Sequence, residues 1–139
     1  MAGASISVPQ DVLDEIAEHA REDLPNECCG VLTGTDGDIR ALERTENEFA
    51  SPMSYRISSE EIFRAYKTAA ERGEDIVGFY HSHVRSQAYP SQTDLNEASE
   101  WPESLHLICS LEHRDDPDIR AFRLHGTQIE EVEIDAEGD

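Results

Sequence analysis

An α/β fold of the α+β kind, with a mixed central β-sheet packed by helices in a single domain over 1–139, is what the sequence predicts, and three observations predict it. Apolar residues recur at helical spacing in some stretches and alternate in others. The two kinds of stretch interleave without a strict strand-helix-strand repeat, which disfavours a parallel doubly wound sheet. The length, 139 residues, suits one core and is too short for two. No internal repeat, low-complexity segment or linker interrupts the pattern.

Taken in order, Ser7, Val8, Pro9 and Gln10 read as a capping box with a proline in the first turn, and Val12, Leu13, Ile16, Ala17 and Ala20 share one face. A first helix is expected over 8–23, ended by Pro25. Residues 29–35 form a short buried strand that turns at Asp36 and Gly37 into a second over 39–46. A loop is expected over 47–55, after which Ser58 and Glu61 open a second helix that places Ile62, Ala65, Tyr66 and Ala69 on one face and closes at Gly73. Residues 75–83 carry the apolar run of a central strand. A loop over 84–90 leads to a short third helix over 91–100. Leu105, Leu107, Cys109 and Leu111 mark another strand, followed by strands over 119–125 and 128–134.

Charge narrows the function. Lys and Arg number 11 against 31 Asp and Glu, for a net charge of -20, and Lys67 is the sole lysine. Such a surface repels a phosphate backbone, so nucleic-acid binding is excluded as a main role. It also repels itself, and high salt screens that repulsion, which motivates the hypothesis of a protein adapted to a high-salt cytoplasm. No stretch approaches the roughly 20 apolar residues that span a bilayer, and residues 1–10 lack the basic start and apolar core of a signal peptide. No membrane partner is expected, and the expected compartment is the cytoplasm. The cysteines, Cys28, Cys29 and Cys109, are odd in number and lack metal-site spacing, so reduced, buried thiols are expected.

The chemistry concentrates in the run HSHVRSQAYPSQTD. His81 and His83 lie at i and i+2, so a strand points both to one face. A turn over 84–90 then lets a helix beginning near Ser91 present Asp94 from its first turn. Two imidazoles and a carboxylate make a three-ligand zinc set with one position left for water, the arrangement of a catalytic site. Zinc held in this way lowers the pKa of its water toward ~7. Helix capping by Ser91 explains part of the pattern without metal, and two core histidines would explain another part. Hydrolysis also needs a proton carrier. Glu27 lies where the first helix gives way to a strand, in a stretch whose glycines allow close backbone approach.

These residues resemble the signature of the JAMM (MPN+) metallopeptidase family, Glu-x-x-Gly-x-Leu-x-Gly followed by His-x-His, seven residues and Ser-x-x-Asp. Glu27, Gly30, Leu32, Gly34, His81, His83, Ser91 and Asp94 occupy every fixed position, and the resemblance covers nearly the whole chain. It implies an MPN-type fold, similar in outline to the cytidine deaminases. It further implies one Zn2+ bound by His81, His83 and Asp94, with Glu27 as general base and then acid and Ser91 stabilising the oxyanion. Its members cleave after the C-terminal glycines of ubiquitin-like proteins. The chain most resembles compact prokaryotic members that act on ubiquitin-like or sulfur-carrier proteins ending in Gly-Gly. These remove a cysteine from the carrier or release the carrier from lysines, and the reading leans to cysteine release. A non-catalytic scaffold of the same fold is the alternative from another class, with no evident use for the three ligands and Glu27. A zinc deaminase would need His-x-Glu and Pro-Cys-x-x-Cys, and neither occurs. His19, His106, His113 and His125 fall outside the signature and read as ordinary surface or packing histidines. Arg85 reads as a solvated loop residue beside the metal.

Overall fold

In a computed structural model that describes residues 5–98, 101, 104–125 and 127–137, the predicted alternation of strands and helices resolves into one mixed sheet. The described elements are β1 (Ser5–Pro9), α1 (Gln10–Glu22), β2 (Cys29–Thr35), β3 (Asp38–Thr45), α2 (Ser59–Glu71), β4 (Asp75–His83), α3 (Gln92–Ala98), β5 (Leu105–Ser110), β6 (Asp118–His125) and β7 (Gln128–Glu137). The strands lie in the order β1-β7-β6-β5-β4-β2-β3. Pairing is parallel at β1 with β7 and at β4 with β5, and antiparallel elsewhere.

The N-terminal region corrects the sequence expectation. Helix α1 starts at Gln10 and not at 8, because Ser5–Pro9 adds a strand beside β7, with Ser5 opposite Glu133, and buries Ile6 and Val8. Pro9 is the extended residue before the helix and makes no side-chain cap. Elsewhere the local signals hold. Asp36 and Gly37 both take positive φ, 54° and 84°, as the tight hairpin between β2 and β3 requires. The Ser58 hydroxyl accepts the Glu61 N–H at 3.2 Å and starts α2. The third helix is shorter than expected, Gln92–Ala98, with 99 and 100 outside the described residues. Tyr66, expected on the buried face of α2, is 48% exposed, so Ala65 and Ala69 carry that contact.

The sheet curls until its outer strands approach: the Ser7 N–H of β1 donates to Asp38 Oδ1 of β3 at 3.4 Å. One face, covered by α1, holds the main core, including Val8, Ile16, Leu32, Tyr80 and Leu107. The other holds two smaller clusters, Val31, Ala65 and Phe79 beneath α2, and Ala88, Ile108, Phe122 and Leu124 beside Leu95 of α3. Side chains alternate along β4, so His81 and His83 share the α2/α3 face with Phe79, while Tyr80 and Ser82 point into the main core. Among the described residues, no helix is long and apolar enough to cross a membrane.

Candidate metal centre

Strand β4 ends where α3 turns back over it, and that return brings His81, His83 and Asp94 together. All three are buried, and their ligand atoms lie within 4.8 Å of one another. His81 Nε2 is 3.2 Å from His83 Nε2 and 3.1 Å from Asp94 Oδ1, and His83 Nε2 is 2.9 Å from Asp94 Oδ2. A tetrahedral ion with ligands at about 2.0–2.2 Å separates them by roughly 3.3 Å, so the observed triangle fits such an ion after a small expansion. Two imidazole nitrogens aimed at each other and at one carboxylate make a donor set that suits zinc.

Asp94 is held by more than the imidazoles. The Ser91 N–H donates to its Oδ2 at 2.9 Å, and the Asp94 N–H donates to Ser91 Oγ at 3.1 Å. This is a reciprocal cap at the start of α3. Capping and convergence on the histidines, which compete as readings of the sequence, therefore coexist in one residue pair. Ser91 stays exposed, and its hydroxyl, having accepted one bond, keeps its own proton to donate. Burial alone would raise the Asp94 pKa, but His81, His83 and the Ser91 N–H outweigh it and hold the carboxyl well below the usual range. Burial opposes the charged form of His83, yet Asp94 and the Gln87 carbonyl raise its pKa.

Glu27 lies at the entry to β2, where Cys29 pairs with His81. It is 4% exposed, and its Oε1 has no hydrogen-bond partner. Burial pushes its pKa up to about 8, with His83 pulling it down and Asp94 raising it further. An unpartnered buried carboxyl oxygen is costly to keep and marks a group whose partner belongs to the working state.

Several participants were not legible as motifs. The loop expected over 47–55 is docked against Glu27: Asn47 Nδ2 donates to the Glu27 carbonyl at 3.1 Å, and the Glu27 N–H donates to the Ser51 carbonyl at 2.9 Å. Tyr55 at its end is buried and stacks on His81 with ring centroids 4.3 Å apart. His83 Nδ1 donates to the Gln87 carbonyl at 2.8 Å, which directs Nε2 at the centre. Two histidines set aside in the sequence are buried: His19, bonded to Tyr80, and His106. Burial lowers the His106 pKa to about 4, with neighbouring His81 adding to the fall and Asp94 opposing it. Arg85 is exposed in the loop between β4 and α3. A cavity of about 400 Å³ opens beside Tyr55, lined among others by Arg56, Ile57, Phe79, Trp101 and His106.

A mixed sheet that gathers two histidines, an aspartate and a buried glutamate at one strand end has the donor and proton-carrying groups that a metal-dependent hydrolase needs, and the relatives place the chain among the peptidases. The chain belongs to the family of prokaryotic homologs of the JAB domain, whose description matches residues 9–125, and the resemblance drawn from the motifs is thereby borne out. It is 37% identical over 145 residues to a desampylase of Haloferax volcanii, covering 99% of this chain and 100% of that one. It is 34% identical over 116 residues to the CysO-cysteine peptidase of Mycobacterium tuberculosis, covering 82% and 79%. A protein of Desulfitobacterium hafniense solved in solution has the same fold, with a TM-score of 0.88 at 30% identity, covering 96% of this chain and 94% of that one.

Proposed function

We propose that the protein is a zinc peptidase that cleaves the bond after the C-terminal Gly-Gly of a ubiquitin-like or sulfur-carrier protein. The observation that carries this reading is the His81, His83 and Asp94 triangle with the unpartnered Oε1 of buried Glu27 nearby. One zinc ion, when bound, supplies a Lewis acid that brings a water pKa to about 7. Glu27 takes a proton from the attacking water at its carboxylate and passes it to the leaving amine. The Ser91 hydroxyl, with its proton still available, donates to the carbonyl oxygen as negative charge develops there. His81, His83 and Asp94 hold the ion, and Gln87 and Ser91 orient them.

A protein substrate also accounts for the surface beside the centre. Phe63, Tyr66 and Trp101, all exposed, line an apolar recess that shares Trp101 and Ile62 with the cavity next to Tyr55. The full-length likeness to a desampylase favours release of a modifier from lysines. Release of cysteine from a carrier adduct is the second reading, favoured by the CysO-cysteine peptidase likeness. The cytoplasm is the compartment we propose, where the free, buried Cys28, Cys29 and Cys109 stay reduced.

The deciding experiment incubates the protein with a ubiquitin-like carrier ending in Gly-Gly-Cys and, separately, with a lysine-linked conjugate, each with and without chelator. Chelator-sensitive cleavage of the conjugate alone supports deconjugation, and loss of cysteine alone supports the second reading. Cleavage of neither by zinc-loaded protein would overturn the proposed function.

A further inference from the structure

A histidine that binds a metal through one ring nitrogen almost always donates its other N–H to an acceptor that fixes the tautomer and the ring angle. The two candidate ligand histidines differ in this respect. His83 has its acceptor, the Gln87 carbonyl, whereas His81 Nδ1 is buried without a partner. Its Nε2 faces His83 and Asp94, so Nδ1 must carry the proton if Nε2 is to offer a lone pair to the ion.

A second imidazole shows the complementary deficit. His106 is 3% exposed, and its Nε2 also has no partner. In the parallel pairing of β4 with β5, Phe79 stands opposite His106 and His81 opposite Ile108. His81 and His106 therefore lie on one face of the sheet, diagonally across neighbouring strands, at a backbone separation of roughly 7–8 Å for such pairs. Long or aromatic side chains come within reach of each other across that diagonal, and a turn of either ring would bring the two nitrogens together. Tyr55 stacks on His81, Phe79 stacks on His106 at 6.0 Å, and both Tyr55 and His106 line the cavity of about 400 Å³, while the two nitrogens themselves are buried. The two orphaned nitrogens thus lie on one sheet face, each under an aromatic ring.

We propose that His106 is the positioning partner of His81: in the zinc-loaded protein its Nε2 lone pair accepts from the Nδ1–H of His81, a bond the two rings do not make in this structure, and fixes that ring with Nε2 toward the metal. His106 then carries its own proton on Nδ1. It touches neither substrate nor metal and acts through His81. The inference rests on the metal reading given above.

The test has two arms. In zinc-loaded wild-type protein, nitrogen-15 ring spectra should show His106 with its proton on Nδ1 and a bare Nε2, and the Nδ1 proton of His81 should exchange slowly. His106→Leu should weaken zinc affinity about 10–100-fold in a chelator competition, the usual loss when an outer partner of a metal-bound histidine is removed. His106→Gln, whose side-chain carbonyl restores an acceptor, should recover most of it. A packing role alone would shift the thermal midpoint of the metal-free variants without making zinc affinity depend on the acceptor. The inference is overturned if His106 holds its proton on Nε2, if His106→Leu binds zinc as tightly as wild type, or if His106→Gln is as weak as His106→Leu. Wild-type protein that takes up no zinc would remove the metal reading itself, and this inference with it.

Discussion

The two faces of β4 handle buried polar groups in opposite ways. Toward α1, the buried polar side chains among the described residues are satisfied: the Tyr80 hydroxyl donates to His19 Nδ1 at 2.7 Å, His19 Nε2 lies 3.3 Å from Asp23, and the Cys28 N–H donates to Ser82 Oγ at 2.8 Å. Toward α2 and α3, a few residues away on the same sheet, Glu27 Oε1, His81 Nδ1 and His106 Nε2 lack partners. Leaving such groups unmade costs about 1–3 kcal/mol each, and this contrast is the pattern expected of a face that binds the ion proposed above. On the proposed reading the first face is scaffold and the second is the working face.

The largest effects should separate the faces by activity. His83→Ala removes a proposed ligand and should abolish both bound zinc and turnover, read by metal analysis and a cleavage assay. Glu27→Gln should keep zinc and lower turnover by about 10²–10⁴-fold, the usual size of a general acid-base contribution. Near-normal turnover in Glu27→Gln would move the base elsewhere.

The same Glu27 variant separates the faces by stability. In the metal-free folded protein burial holds the Glu27 proton up to about pH 8, while the unfolded chain releases it near the ordinary glutamate value of 4.5. Between those values the folded state binds more protons, so metal-free stability falls as pH rises through the window. Metal-free Glu27→Gln should therefore gain on wild type from pH 5 to pH 8 in urea titrations, and a constant difference would contradict the buried carboxyl. Asp94 acts in the other direction: its pKa is depressed, so the stability it contributes is present above the ordinary carboxylate range and is lost on acidification.

On the scaffold face, Tyr80→Phe leaves His19 Nδ1 buried and unpaired and should cost about 1–3 kcal/mol in urea unfolding, with turnover per folded molecule nearly unchanged. A large loss of turnover would show that the faces are coupled. The smallest effect tests neither face but the surface around both: with a net charge of -20, the thermal midpoint should rise as potassium chloride goes from millimolar to molar, and no rise would end the salt-adaptation hypothesis.

What the sequence reveals follows the same division. The Ser58 and Ser91 caps, the Asp36 and Gly37 turn and the central strand are local patterns, and they appear where expected. Strand β1 was not legible because its meaning comes from β7 at the far end of the chain, while Ser7 to Gln10 satisfies the local rules for a helix start. The structure brings His81, His83 and Asp94 together as their spacing predicts. Asn47, Tyr55 and His106 carry no spacing signal, since a loop amide, a ring stack and a diagonal pair across strands exist only after folding. Gly30 was legible as a signature residue but not for its reason: a Cβ there would lie 2.2 Å from the Tyr80 ring, so the glycine serves the scaffold face.

Helix α3 has seven residues, well below the length at which an isolated helix holds in water. Its first turn is tied down by Asp94, whose carboxylate accepts the Ser91 N–H and also closes the triangle with the histidines. The residue proposed to grip the ion thus also caps the turn that carries it, so a substitution at Asp94 would loosen the start of α3 as well as remove a proposed ligand.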